Sequence, residues 1–257
     1  MKPLVSIITV SFNSEKHIAK TINSVLSQTY SRIEYLIIDG KSSDKTCEII
    51  KEYGSKIDFF LSESDESMYD AINKGLKKSS GELIAILNSD DIYYDENVVE
   101  KIVNKFNEEG VDGIYGNIKV DYGNKINVKK VFPVTSYQLL ASRKCTFVPH
   151  CSFFIRREVI NKVGYYDLQY KYASDFDFIL RCLTSCNVKY VDFFIAIFRR
   201  HSDSLTSSGL IPEERNKIIN ENIKQYQNIG FFMFLTWIYI WGKYYIKNIY
   251  YNIKIKI

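Results

Sequence analysis

"ELIAILNSDDIYYDEN", residues 82–97, poses the question on which the fold turns. The apolar run Leu83 to Leu87 reads as a buried strand. It then passes directly into Asn88-Ser89-Asp90-Asp91, with Asp95 and Glu96 just beyond and no neighbouring lysine or arginine. One reading is a solvated turn that caps the next helix, with Asp95 as the cap. The other is a strand end that opens onto a ligand.

The segments around it have the same construction. "LVSIITVSF" (4–12) is a continuous β-branched run, as expected of a strand covered on both faces. Ser14 can cap a helix whose apolar stripe is Ile18, Ile22, Val25 and Leu26. "IEYLIID" (33–39) and "IDFFLSE" (57–63) read as further strands, and helices are expected from Asp44, over 67–79 and over 96–109. Four strand–helix units in succession predict an α/β fold with an open, mostly parallel sheet flanked by helices. In such sheets ligands bind beyond the carboxyl ends of the strands. After Gly110 the pattern changes to a hairpin about Gly123-Asn124, a helix near 136–142, a strand entering a helix at 152–164, a helix over 174–186 and a strand over 188–200. The division expected is one domain over 1–210, with a nucleotide-binding half (1–110) and an acceptor half (111–210), followed by a helical C-terminal segment, 211–257.

Composition excludes several classes. The 257 residues are 46% hydrophobic and 25% charged, which is ordinary globular chemistry. The net charge of +4 belongs to the tail, because residues 222–257 hold five lysines and no acid; the body is close to neutral and is not a nucleic-acid binder. The opening "MKPLVSIITVSF" leads into polar "NSEKH", so it reads as a first core strand rather than a signal peptide. Five cysteines without zinc-site spacing are expected to be reduced thiols of a cytoplasmic protein.

Three consecutive strands end in acids: Asp39, then Glu63 and Asp65, then Asp90 and Asp91. Carboxylates converging on one rim repel unless a cation or hydrogen-bond donors share the site. Hard divalent cations take such oxygens and bridge to phosphate, so a metal–diphosphate ligand is expected. The turn after the first strand, "SFNSEKH", has no glycine-rich phosphate cradle, which disfavours dinucleotide oxidoreductases, P-loop kinases and nucleotidyltransferases.

Four ordered stretches, "VSIITVSFNSEKHIAKTINSVLSQTY", "IEYLIIDGKSSDKT", "SESDESMYDAINKGLKKSSGELIAILNSDD" and "ASDFDFILR", resemble the family-2 glycosyltransferases of the GT-A fold, over about residues 3–200. The resemblance implies a nucleotide-diphosphate sugar donor, most often a UDP-sugar. It also implies Mn²⁺ or Mg²⁺, and transfer of a hexosyl or N-acetylhexosaminyl group with inversion. Thr9, Phe12 and Asn13 match positions that hold the nucleobase and ribose. Asp39 matches the acid that bonds the base, and Asp65 a second nucleotide-side acid, with Lys74 and Gly75 on the helix shaping that pocket. The family's D-x-D stands here as Asn88-Ser89-Asp90: Asn88 and Ser89 fall on the donor side, and Asp90 and Asp91 on the metal. The alternative is a non-catalytic nucleotide-sugar-binding or scaffold protein.

Inverting transfer needs a carboxylate to deprotonate the acceptor hydroxyl. "ASDFDFILRC" offers Asp175 and Asp177 on different helix faces; Asp175 aligns with the family's base, while Asp177 or Arg181 supports the helix. A plain helix start capped by Ser174 or Asp175 is the competing reading. His150, in "FVPHCSFFIRR", falls where relatives flank the acceptor. In "FRRHSDSLTSS" (198–208), Arg199, Arg200 and His201 could pair with phosphate oxygens, or His201 could ligate the metal; a solvated loop is the competing reading.

"FFMFLTWIYIW" (231–241) is too short to span a bilayer, which needs about 20 apolar residues. Lysines then alternate with aromatic residues, a pattern suited to a helix lying in the interface of an anionic membrane. Peripheral membrane contact through 231–257 is expected. It suits an enzyme extending a glycan or lipid-linked acceptor in surface polysaccharide synthesis, at the inner face of a bacterial cell membrane.

Overall fold

A computed structural model describes residues 2–142, 147–200 and 211–223, together with Gly242. Four strands, β1 (Val5–Ser11), β2 (Ile33–Asp39), β3 (Phe59–Ser62) and β4 (Leu83–Ile86), pair in parallel in the order β3-β2-β1-β4. The helices between and after them are α1 (Ile18–Leu26), α2 (Thr46–Glu52), α3 (Met68–Lys78) and α4 (Val98–Glu109). Strand β4 is shorter than the apolar run, but Leu87 and Ser89 still donate to the Ile8 and Val10 carbonyls at 3.0 and 3.2 Å. The Asn88–Asp91 turn is thereby bound to the end of β1.

The same sheet continues through the second half. β8 (Phe154–Arg156) lies antiparallel against β4; β6 (Gly113–Asp121) follows, then β9 (Val188–Arg199) parallel to it, and β5 (Ile92–Tyr93) at the edge. β7 (Ile126–Lys129) forms the expected hairpin with β6. α5 (Ser136–Ser142), α6 (Arg157–Val163), α7 (Ser174–Ser185) and α8 (Ile211–Ile223) complete the described elements.

Side chains alternate across a strand, so β1 feeds two cores. Ile8 and Val10 pack with Ile72 and Leu76 of α3, whereas Val5 and Ile7 pack with Ile18, Ile22 and Val25 of α1 and with α4. Each such fully buried side chain contributes about 1.5–3 kcal/mol. Helix α3 lies so close to β1 that a Cβ on Gly75 would stand 2.4 Å from Ile8 Cγ2, which is why glycine is needed there.

One feature differs from the expectation. The two-residue strand β5 sits inside the acidic turn, pairing Ile92 and Tyr93 with Ile197 and Ala196. α8, which falls in the expected C-terminal segment 211–257, packs on the body: Ile218 and Ile219 are completely buried in the same core as Phe176. No helix among the described residues is long and apolar enough to cross a membrane. The membrane-contact segment 231–257 and His201 lie outside the described residues, apart from Gly242.

Candidate active site

The parallel register sets Ser11, Asp39 and Ser62 side by side at the carboxyl ends of β1, β2 and β3. Asp39 is fully buried there. It accepts from Ser11 Oγ (2.9 Å), Ser62 Oγ (2.8 Å), the Ser42 amide (2.9 Å) and Oγ (2.5 Å), and Cys47 Sγ (3.1 Å). Burial alone would push its carboxyl up; the Ser42, Ser62 and Cys47 donors outweigh that and hold it below the usual carboxylate range. Asn13, in the left-handed region at φ 48°, accepts from the Ser43 amide (2.9 Å), and its own amide donates to Ser42 Oγ (2.8 Å). This stitching turns Phe12 outward, and its side chain is 65% exposed at the rim. Thr9 lies below the rim: its hydroxyl is fully buried, 3.1 Å from Tyr35 Oη.

The repulsion anticipated among the acids is partly resolved by the chain itself. Lys74 Nζ lies 2.9, 3.4 and 3.2 Å from Glu63, Asp65 and Asp70. Asp65 in turn fills the space over Gly40, where a Cβ would stand 2.6 Å from its Oδ2. Burial leaves Asp65 above the usual range even with Lys74 opposing it.

In the Asn88–Asp91 turn, Ser89 Oγ meets Ser14 Oγ at 2.6 Å, and Thr21 Oγ1 donates to the Ser89 and Asp91 carbonyls at 2.8 and 2.7 Å. Asp90 is half-buried at the rim. Asp91 is not beside it. The chain turns Asp91 inward to full burial, where Oδ1 accepts from the Arg199 amide (3.0 Å) and Oδ2 has no hydrogen-bond partner. Burial, reinforced by Asp90, pushes that carboxyl well above its ordinary value, and full burial sets it in the packed interior behind the rim. The Arg199 guanidinium donates to His17 Nδ1 (2.6 Å) and Asp121 Oδ2 (3.2 Å), while the Arg200 amide donates to the Asp121 carbonyl (2.8 Å). His17 and Asp121 were not singled out in the sequence. Asp121 opposes Arg199 in the β6–β9 register, a pairing no local pattern announces.

No three His, Cys, Asp or Glu side chains converge as a metal site among the described residues. What the rim offers a hard cation is the Asp90 carboxylate and Asn88 Oδ1, a buried oxygen with no hydrogen-bond partner. One carboxylate and a neutral oxygen suit an ion whose other ligands are substrate phosphates and water, so the residues fit Mn²⁺ or Mg²⁺ held jointly with a diphosphate.

Helix α3 begins just past β3, so Tyr69 in its first turn stands at this rim. Its hydroxyl donates to Asp175 Oδ1 (3.1 Å), which also accepts the Phe176 amide (2.8 Å). Asp177, on the inner side of α7, is bound by Arg181 Nε and Nη2 at 2.8 Å each, and Arg181 Nη2 also donates to the Tyr165 carbonyl (2.9 Å). Neither Ser174 nor Asp175 caps α7: the cap position is Ala173, with no side-chain bond of its own. Because β8 runs antiparallel to β4, the turn before it returns to the rim and brings His150 with it. His150 Nε2 lies 2.7 Å from Tyr166 Oη, and the Tyr166 ring stacks between Tyr69 and Phe178 at 5.8 and 4.3 Å. Burial holds the imidazole below its ordinary pKa, opposed by the charge of Asp175.

Residues 6–164 match the family model described as glycosyl transferase family 2. The chain belongs to that family. An uncharacterized glycosyltransferase of Mycobacterium tuberculosis is 33% identical over 186 residues, 72% of this chain and 70% of that protein. Among solved structures, Staphylococcus aureus TarS (residues 1–349) in complex with UDP-GlcNAc superposes with a TM-score of 0.69 at 20% identity, covering 84% of this chain and 64% of that one. The mannosyltransferase PcManGT from Pyrobaculum calidifontis, in complex with GDP-Man and Mn²⁺, gives 0.67 at 13%, covering 88% and 65%. This glycosyltransferase thus spans a little under two thirds of the length of each of those two solved chains. The likeness is one of fold, a GT-A sheet flanked by helices.

Proposed function

We propose that this glycosyltransferase moves a sugar, with inversion, from a nucleotide-diphosphate donor, UDP-linked in first preference, to a hydroxyl of a glycan or lipid-linked acceptor in surface polysaccharide synthesis. The observation that carries the reading is the Tyr69–Asp175 hydrogen bond, which holds a carboxylate of the second half at the rim where the parallel strands end. On this reading Phe12, Asn13, Asp39 and Asp65 face the base and ribose, and Asn88, Ser89, Arg199 and Arg200 the diphosphate side. Residues 1–110 serve the donor and the remainder of the body the acceptor.

Asp90 and Asn88 would hold Mn²⁺ or Mg²⁺, which when bound offsets the negative charge of the departing diphosphate. Asp175 takes the proton of the acceptor hydroxyl as that oxygen bonds to the anomeric carbon. The bond from that carbon to the phosphate oxygen breaks, and its electron pair leaves with the nucleoside diphosphate. His150, whose imidazole is held below its ordinary pKa by burial, borders the acceptor.

The test is a panel of UDP- and GDP-sugars with Mn²⁺, scored by nucleoside diphosphate release for the wild type and Asp175→Asn. Turnover of at least one donor, reduced about 10²–10⁴-fold in Asp175→Asn, is the expected result. Release from no donor, or a variant equal to wild type, overturns the reading. Membrane contact through 231–257 belongs to the same proposal, supported by the alternation of lysines and aromatic residues. Flotation with anionic liposomes should carry the full chain and leave a 1–229 truncation behind; equal partitioning removes it.

A further inference from the structure

The turn that presents Asp175 is held from outside its own helix. Glu214, on α8, accepts the three backbone amides that lead into α7: Lys171 (2.9 Å), Tyr172 (2.6 Å) and Ala173 (3.0 Å). Three successive N–H groups aimed at one carboxylate form an anion nest, and the positive end of the α7 dipole strengthens it. No side chain of α7 itself does this work, since Ala173 at the cap position has nothing to offer. The same helix adds Glu221, which accepts from Tyr170 Oη (2.6 Å), and it is anchored by Ile218 and Ile219, both fully buried. Asp175 is therefore gripped from two directions: Tyr69 of α3 on its carboxylate, and Glu214 of α8 on the backbone two residues before it.

We propose that Glu214 is a positioning residue for Asp175, which rests on the reading of Asp175 as the base. With the carboxylate in place, residues 171–173 have one arrangement that satisfies all three amides. Without it, those amides must find water, the first turn of α7 gains freedom, and the proton-accepting oxygen loses its aim. The nucleotide side of the rim is built by β1 to β4 and α3, whereas the hydrogen bonds of Glu214 go to residues 171–173, so the loss should fall on turnover and spare donor binding.

The experiment uses the full chain with Glu214→Ala and Glu214→Gln, the second retaining one acceptor oxygen should the first fail to fold. UDP binding and far-UV circular dichroism establish that each variant is folded. Amide hydrogen exchange over residues 174–178 should accelerate at least about tenfold. With whichever donor of the panel the wild type turns over, kcat should fall about 10–100-fold with donor KM within about twofold, the size expected of a misplaced catalytic group. The Asp175→Asn/Glu214→Ala double variant should lose no more than Asp175→Asn alone, because Glu214 acts only through Asp175. Unchanged kcat in a folded variant, or losses that multiply in the double variant, overturns the inference and leaves the glycosyl-transfer reading standing. If the wild type turns over no donor, that reading fails and takes this inference with it.

Discussion

Asp39, Asp90, Asp91 and Asp175 all lie in or next to one sheet edge, and their surroundings give each a different character. Asp39 is saturated by donors, Asp91 is buried with one oxygen unsatisfied, and Asp175 is held on Oδ1 by Tyr69 and its neighbouring amide. The contrast between the adjacent pair is directly testable. On the proposed reading of Asp90 as a metal ligand, Asp90→Asn should lower turnover at limiting Mn²⁺ about 10–100-fold. Asp91→Asn should stay within about threefold of wild type, since an amide oxygen can still accept from the Arg199 amide. Equal losses in steady-state assays would restore Asp91 as a ligand. His150 gives a pH signature. Its folded pKa lies below the ordinary value, so between about pH 6.5 and that lower value the unfolded chain binds the extra proton and acidification destabilises the fold. Above pH 6.5 the contribution is fully present. His150→Gln should therefore flatten the fall of Tm between pH 6.5 and 5; an unchanged slope in thermal melts would refute this.

At the scale of elements, the parallel half was legible because burial on both faces leaves a strong local record. The stripe Ile18, Ile22 and Val25 is buried as its spacing predicts, though Leu26, at the end of α1, is 37% exposed. Other features had no local signature. β5 is too short for a periodicity, and its partner lies in β9, more than a hundred residues on. Thr9 reads equally as a rim or core residue until the Tyr35 hydroxyl is placed beside it from the neighbouring strand. The inward turn of Asp91 depends on Arg199, and α8 looks polar because only Ile218 and Ile219 are driven to full burial. The motif glycine of α3, by contrast, has a plain steric meaning. Gly75→Ala should force α3 away from Ile8 and Ile38 and cost about 1–3 kcal/mol in urea unfolding. A loss below about 0.5 kcal/mol would mean that the helix has room to spare.

Across the whole molecule, the two halves share one sheet through the β4–β8 seam, and each core layer draws on both. α8 closes the body by returning to α7, so the rim of the parallel strands and the Asp175 turn are parts of one packed unit. The charge arrangement at the end of β3 has a kinetic consequence. There a single ammonium, Lys74, serves Glu63, Asp65 and Asp70, so that corner stays net negative. A polyphosphate ligand diffusing toward it without divalent cation is repelled rather than steered. Raising ionic strength from about 0.01 to 0.15 M shortens the screening length from about 30 to 8 Å, and nucleotide association should then become faster. With Mn²⁺ compensating the ligand's charge the dependence should vanish or reverse. Stopped-flow binding rates measured against salt would show the sign, and Lys74→Met should steepen it.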